Sequence, residues 1–310
     1  ASPSIYHLGY ILGPRINAGG RVGKCSHGAN LLLNSNPKEV FKLATELDQY
    51  NKERQMLEKD LIKKILIESE TKLKDPILIL QGSNWHEGVI GIVAARLKDK
   101  FNKPVIIISI KDKVGKASAR SILGFDIGST IIAALNIGIL LKGGGHKMAG
   151  GFSIDVKNID KFKDFIFKRF NKLNLIEKEM KPLILDSKIA PTAVNLDFFD
   201  KIDTLSPFGA GNPEPKFIIE NLKPLNSKIV GEKHIKSTLI GMEGTIIKTI
   251  AFNAVNNEIG PYLLKMNKKI FNIAGKLSLN EWRGEKNVEF IIDDISVNKK
   301  LKSEVPSSIG

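Results

Sequence analysis

Four short segments of this 310-residue chain combine residue types that handle anions. Gly143-Gly144-Gly145-His146 sets a histidine after glycines whose backbone N–H groups no side chain obstructs. Such groups can form an anion-binding nest, with His146 donating to a phosphate oxygen. The same run also reads as a helix C-cap followed by an exposed turn. Ser118-Ala119-Arg120-Ser121 closes a strand candidate. Alternation puts Ser118 and Arg120 on one face and Ala119 and Ser121 on the other. One arginine flanked by hydroxyls suits bidentate recognition of phosphate, and a solvated strand end is the plainer reading. Pro14 to Arg21 reads as a glycine-rich loop holding Arg15, Asn17 and Arg21. Either an anion sits between the arginines, or one pairs with an acidic neighbour and the other is exposed. Trp85-His86-Glu87-Gly88 falls at a strand-to-helix junction. There Trp85 is a base-stacking platform or a core residue, and His86 faces an anion at the helix start or serves as a local cap.

Hydrolytic chemistry has no equivalent set. Two-metal phosphodiester hydrolysis needs clustered Asp and His, and the sequence holds no Asp-His-His and no Asp-x-Asp. Asp293-Asp294 lies in a strand candidate whose alternation sends the two carboxylates to opposite faces. There is no phosphate-loop lysine motif and no nucleophile elbow. No catalytic residue and no metal ligand is therefore expected in this chain, and the lone Cys25 with five histidines argues against structural zinc.

Lys and Arg total 47 against 33 Asp and Glu, a net charge of +14. This excess is permissive of polyanion binding by counterion release, although A/T-rich coding bias also enriches lysine. The single cysteine fits a reducing, cytoplasmic setting, and no apolar run is long enough to cross a membrane. The chain opens on Ala1, followed at once by a dense motif, so the sequence is expected to begin inside a larger protein.

These segments must be positioned by the elements between them. Residues 1–35 are glycine-rich and end in a short helix candidate, Ala29 to Leu33. Residues 36–75 form one long amphipathic helix, with Asn36 as N-cap, Pro37 at the first position and Glu39 able to close a capping box. Val40, Leu43, Leu47, Leu57, Leu61 and Ile65 supply its apolar stripe. Residues 76–178 alternate strand and helix: strands at Ile77 to Leu80, Val105 to Ile110, Lys116 to Ser121 and Phe152 to Val156, helices at Glu87 to Lys100, Asp126 to Leu141 and Asp160 to Leu173. That is an α/β domain. After a charged link at Glu177 to Lys181, residues 179–298 carry strand candidates Phe217 to Glu220, His234 to Ile240, Thr245 to Phe252, Lys269 to Leu277 and Val288 to Val297, which together imply a small all-β barrel. Residues 299–310 read as a disordered tail.

Taken in order, LGPRINAGGRVG (Leu12 to Gly23), NKERQMLE (Asn51 to Glu58), WHEGVIGIVAARL (Trp85 to Leu97), KASARSILG (Lys116 to Gly124), GGGHKMAGG (Gly143 to Gly151) and PFGAGNPEP (Pro207 to Pro215) resemble the RecJ family of the DHH phosphoesterase superfamily. The glycine-histidine element alone is weak, since other DHH phosphodiesterases and alanyl-tRNA synthetases carry something similar; the six together are specific. The resemblance implies a DHH-domain remnant joined by the long helix to a DHH-associated α/β domain, then an oligonucleotide-binding (OB) fold. It implies a 5′→3′ single-stranded-DNA exonuclease of DNA repair and recombination. The intact protein would use Mn2+ or Mg2+ held upstream of Leu12, with no metal bound by residues of this chain. Single-stranded DNA, entered through its 5′ end, is the implied partner, with a separate DHH-domain polypeptide or a single-strand-binding protein as further candidates. The implied substrate-binding residues are Arg15, Asn17, Arg21, His86, Ser118, Arg120, Ser121, Gly143, Gly144, Gly145 and His146. Barrel aromatics Phe208, Phe252 and Trp282 are present, and none is singled out. A non-enzymatic single-strand-binding relic and a phosphodiesterase of short oligonucleotides or cyclic dinucleotides remain as competing readings.

Overall fold

A computed structural model of the chain describes residues 5–68, 74–173, 183–209, 211–264, 270–282 and 284–297. The expected charged link at Glu177 to Lys181 and the expected tail at Lys299 to Gly310 lie outside them. The chain divides into two compact units, Ala1–Glu179 and Met180–Gly310.

In the first unit a π-helical stretch, His7–Leu12, leads into helices α1 (Gly13–Val22), α2 (Ser26–Leu33) and α3 (Pro37–Glu68). The expected loop from Pro14 to Arg21 is helix instead. Pro14 sits at the helix start, where its missing N–H costs nothing, and the glycines answer to packing. A Cβ at Gly19 would lie 2.7 Å from the Lys24 carbonyl oxygen, and one at Gly28 would lie 2.9 Å from Ile16. Asn36 caps α3 as expected, its side-chain oxygen accepting from the Lys38 N–H at 3.0 Å.

The α/β domain follows as β1 (Leu78–Ser83), α4 (Glu87–Phe101), β2 (Val105–Lys111), β3 (Val114–Arg120), α5 (Ile127–Asn136), β4 (Lys142–His146), β5 (Ala149–Asp155) and α6 (Ile159–Asn171). Its sheet runs β1-β2-β3-β5-β4, with β1 and β2 parallel and the other pairs antiparallel. Helix α5 stops earlier than the sequence pattern implies, because Gly138 turns the chain with φ 73°. One face of the sheet packs Ile79, Ile106, Ile108, Ala117, Ala119, Phe152 and Ile154 against α5 and α6. The other face packs Leu78, Leu80, Val105 and Ile107 against Val89, Val93 and Leu97 of α4 and Leu61 and Ile65 of α3.

Gly143 to His146 is neither an anion nest nor a loose turn. It is most of the edge strand β4, paired with β5 from Lys142↔Ser153 to His146↔Ala149. Helix α5 comes so close that a Cβ at Gly128 would lie 2.8 Å from the His146 nitrogen.

The second unit contains β6 (Ser187–Lys188), α7 (Leu196–Asp203), β7 (Phe217–Val230), β8 (His234–Ile240), β9 (Ile246–Ala251), α8 (Gly260–Leu264), β10 (Phe271–Trp282) and β11 (Glu285–Val297). Strands β7, β8, β9, β11 and β10 follow one another, and β10 pairs back onto β7, closing a five-stranded barrel. Ile219, Leu222, Ile235, Leu239, Ile247, Phe271, Ile273 and Phe290 fill it. Strand β7 is far longer than the apolar run Phe217 to Glu220, since its second half is not buried on either side and pairs only with β8.

Candidate nucleic-acid interface

Strand alternation builds the site. Positions paired across an antiparallel sheet share a face. The registers β3–β5 and β5–β4 therefore align three rows on the face that carries α4: Lys116, Ser153 and Lys142; Ser118, Gly151 and Gly144; Arg120, Ala149 and His146. The alternate residues Ala117, Ala119 and Phe152 are buried on the opposite face. Over the first two rows lies a groove of about 430 Å³ lined by Glu87 and Ile90 of α4 and by Lys116, Ser118, Lys142, Gly143, Gly151 and Ser153. Its middle row is floored by glycine. A Cβ at Gly144 would meet nothing within 4 Å, and one at Gly151 only the Ala117 oxygen at 3.4 Å. Packing does not demand glycine at either position. The bare backbone there leaves room for a ligand to approach closely.

Arg120 ends this face half-buried beneath α4, where a Cβ at Gly91 would lie 3.1 Å from its Nη2. Its Nη1 donates to the Ala119 carbonyl at 2.8 Å and to the Ser118 hydroxyl at 3.2 Å. No carboxylate pairs with it among the described residues. Burial lowers its pKa, and the positive charge of Arg21 lowers it further. A half-buried cation with no counter-ion is costly unless an anion arrives.

A second pocket, about 250 Å³, lies among Leu8, Gly13, Pro14, Asn17, Arg21, Arg54 and Ile92. Arg21 links the two places, since its field lowers the pKa of both Arg120 and Arg54. It is held there by donating to the Gly88 carbonyl at 3.2 Å. That contact requires glycine at position 88, where a Cβ would lie 2.1 Å from the Arg21 oxygen.

The structure thus brings Asn17 and Arg21 to one pocket and Ser118 and Gly144 to the adjoining face, with Arg120 and His146 in its last row, whereas Gly143 lines the groove but would aim a Cβ at α5. It separates three others. Arg15 points away to Asp48, 2.8 Å from its carboxylate. Ser121 is buried and spends its hydroxyl on the Phe125 carbonyl at 2.6 Å. Gly145 falls on the face opposite Gly144, and a Cβ there would lie 2.5 Å from the Ala149 oxygen. His86 caps α4, its Nδ1 accepting from the Gly88 N–H at 3.1 Å, which leaves Nε2 as the protonated nitrogen. Trp85 packs into the core beside α4, and a Cβ at Gly82 would strike its ring at 2.3 Å.

Sequence reasoning passed over Arg54. The signal was available: Leu47, Asn51, Arg54, Glu58, Leu61 and Ile65 follow one stripe of α3 in steps of four and three, and its middle is polar where core residues belong. Lys116 and Lys142 were likewise not nominated, and only the sheet register brings them level. Among the described residues, no group of three or more His, Cys, Asp or Glu is placed to hold a metal ion, and no helix is long and apolar enough to cross a membrane.

On the barrel, Phe252 is exposed, edge-on to His234 with ring centroids 5.2 Å apart, whereas Phe208 is half-buried. The side chain of Trp282 lies outside the described residues.

Residues 74–172 match the DHHA1 domain and residues 185–294 match the RecJ OB domain. The chain is 34% identical over 303 residues to the single-stranded-DNA-specific exonuclease RecJ of Escherichia coli, covering 93% of this chain and 51% of that protein. The chain belongs to the RecJ family. The Bacillus subtilis RecJ is 30% identical over 301 residues, 94% of this chain and 37% of that protein. The crystal structure of Thermus thermophilus RecJ in complex with Mn2+ superposes with a TM-score of 0.80 at 26% identity, over 96% of this chain and 42% of that one. A second structure of that RecJ was solved with Mg2+. The chain therefore spans about half the length, or less, of the RecJ proteins it matches. The RecJ order of a DHH-associated α/β domain and then an OB barrel is the order found here.

Proposed function

We propose that this chain is the strand-gripping portion of a 5′→3′ single-stranded-DNA exonuclease. Its groove and arginine cluster would seat the 5′ end, and its barrel would guide the trailing strand. Metal-dependent phosphodiester hydrolysis, with Mn2+ or Mg2+ as in the Thermus relative, would then fall to the portion of RecJ that this chain does not match. The single observation carrying the proposal is the convergence on Arg21 of two further buried or half-buried arginines, Arg54 and Arg120, at the end of a groove floored by glycine. Arginines held against their mutual repulsion form a site for a multiply charged anion, and a terminal phosphate is the strongest such group on a DNA strand. Lys116, Ser118 and Lys142 continue polar contacts along the groove, as a strand extending from that end requires. A dinucleotide would need no barrel, so its presence favours a longer strand.

The test compares a 5′-phosphorylated oligodeoxynucleotide with its 5′-hydroxyl twin by fluorescence anisotropy. Arg120→Ala is expected to weaken the phosphorylated strand by about 1–3 kcal/mol, roughly 5- to 150-fold, and the hydroxyl strand much less. Equal weakening of both would make Arg120 a general backbone contact and remove the case for an end-binding site.

A further inference from the structure

We infer that Glu58, which touches neither groove nor pocket, is the positioning residue that aims Arg54 at the bound phosphate; this rests on the phosphate-site reading above. Glu58 occupies a core position of α3 and its side chain is 2% exposed. Leu47 and Ile65 lie on the same stripe and are fully buried, so an apolar residue at position 58 would complete an ordinary helix seam. A carboxylate stands there instead. Its Oε2 accepts from Nη1 of Arg54 at 2.9 Å, and its Oε1 faces Nε of Arg96 as an ion pair without hydrogen-bond alignment.

The opposite side of the Arg54 guanidinium is fixed as well. Buried Asn51, one turn earlier, accepts on a single oxygen from Nε at 3.3 Å and from Nη2 at 2.9 Å. Arginine has five N–H donors. Asn51 and Glu58 engage three of them, which leaves one on each terminal nitrogen, the pair that grips two phosphate oxygens at once. The pocket shared by Arg54, Arg21 and Asn17 is where that free pair can act. Glu58 is also the carboxylate paired with Arg54 and Arg96, and Arg21 and Arg120 have none among the described residues. One negative charge anchors the cluster without neutralising it.

The readout is the ratio of affinities for 5′-phosphorylated and 5′-hydroxyl oligodeoxynucleotides. Glu58→Met completes the apolar seam, so the variant is expected to fold, with thermal melting as the check. Its Arg54 loses its anchor, and the ratio should fall about tenfold, the loss of one charged hydrogen bond. Glu58→Gln keeps an acceptor and should stay within about threefold of the parent ratio. In an Arg54→Ala background, Glu58→Met should change the ratio no further, since its effect runs through Arg54. An unchanged or increased ratio in Glu58→Met overturns the inference, as does an equal fall in the Arg54→Ala background. If Arg54→Ala and Arg120→Ala each lower the ratio while Glu58→Met does not, only the role of Glu58 is lost. If neither arginine variant lowers it, the phosphate site itself is refuted.

Discussion

The three consecutive glycines of β4 make a sharp test, because packing forbids a side chain at two of them and leaves room at the third. A Cβ at Gly143 would lie 2.8 Å from Ile131 Cγ2 and 2.9 Å from Phe152 Cβ, and one at Gly145 would lie 2.5 Å from the Ala149 oxygen. At Gly144 it would meet nothing within 4 Å. None of the three has positive φ, so backbone strain does not separate them. Gly143→Ala and Gly145→Ala overpack the interior and should each cost about 1–3 kcal/mol. Gly144→Ala adds no clash and stiffens the unfolded chain, so it should stabilise by about 0.4–1 kcal/mol. For a unit of this size that raises the melting temperature by roughly 1–4 °C. Yet Gly144 lies level with Ser118 and Gly151, which line the groove, and Gly144→Leu should weaken a single-stranded oligonucleotide at least about tenfold, a loss of ~1.4 kcal/mol. Thermal melts and anisotropy titrations on the same preparations check both halves. If Gly144→Ala melts as low as Gly143→Ala, the glycine serves the fold. If Gly144→Leu binds like the parent, nothing approaches that floor.

Other outcomes follow from the same geometry. Arg15→Ala should leave oligonucleotide affinity within about twofold of the parent, because Arg15 is engaged by Asp48 away from the pocket, whereas Arg21→Ala should lower it about tenfold, and anisotropy titrations distinguish the two. The carboxyl of Asp155 is held below its ordinary range by the Lys157 side chain first and the Lys157 backbone N–H second, and that of Asp48 by hydrogen bonds from Lys52 and then Arg15. A carboxylate with a depressed folded pKa contributes stability above its unfolded value, about 4, and loses it as pH falls through the lower folded value. Asp155→Asn should therefore flatten the acid limb of a urea-stability profile and leave its slope near neutral pH unchanged; a steeper acid limb would contradict the assigned hydrogen bonds.

Much of the architecture was legible because its signals are local. Asn36, Pro37 and the apolar stripe mark α3, and period-two alternation marks β8 to within its ends. The failures have one physical cause. Glycine read locally signals a turn, but Gly19 answers to Lys24 and Leu47, Gly28 to Ile16, and Gly143 to Ile131 and Phe152, against which a Cβ would clash. Tertiary contact made a helix of Pro14 to Arg21 and a strand of Gly143 to His146, and no window of sequence contains those contacts. The candidate site was legible by residue type and not by direction. Asn17, Arg21, Ser118 and Arg120 reach the two pockets or lie between them, whereas Ser121, a single residue beyond Arg120, turns inward. Arg54 was hidden by its place on a helix whose amphipathic pattern invites a purely structural account.

The alternation of β3, β4 and β5 explains how one small sheet serves two needs. On one face Ala117, Ala119, Gly143, Gly145 and Gly150 are small because α5 lies directly on the strands; a Cβ at Gly150 would lie 2.5 Å from Ile131 Cδ1. On the other face, the rows of Lys116, Ser118 and Arg120 stay open toward β5 and β4 because α4 lies over β2 and β3. A helix centred over β3 would fill the groove, and one moved off it would expose Arg120 to water and give up the burial that leaves its charge without a counter-ion. The small residues of α4, Gly88 against Arg21 and Gly91 against Ser118 and Arg120, hold the intermediate position. Bulk at Gly91 should therefore act on the groove from the opposite wall to bulk at Gly144. Gly91→Val would push on the Arg120 guanidinium, and reduced preference for a 5′-phosphate with unchanged affinity for a 5′-hydroxyl strand is the signature expected of that displacement. Loss of both affinities together would place the contribution of α4 in general groove shape instead of in the aim of Arg120.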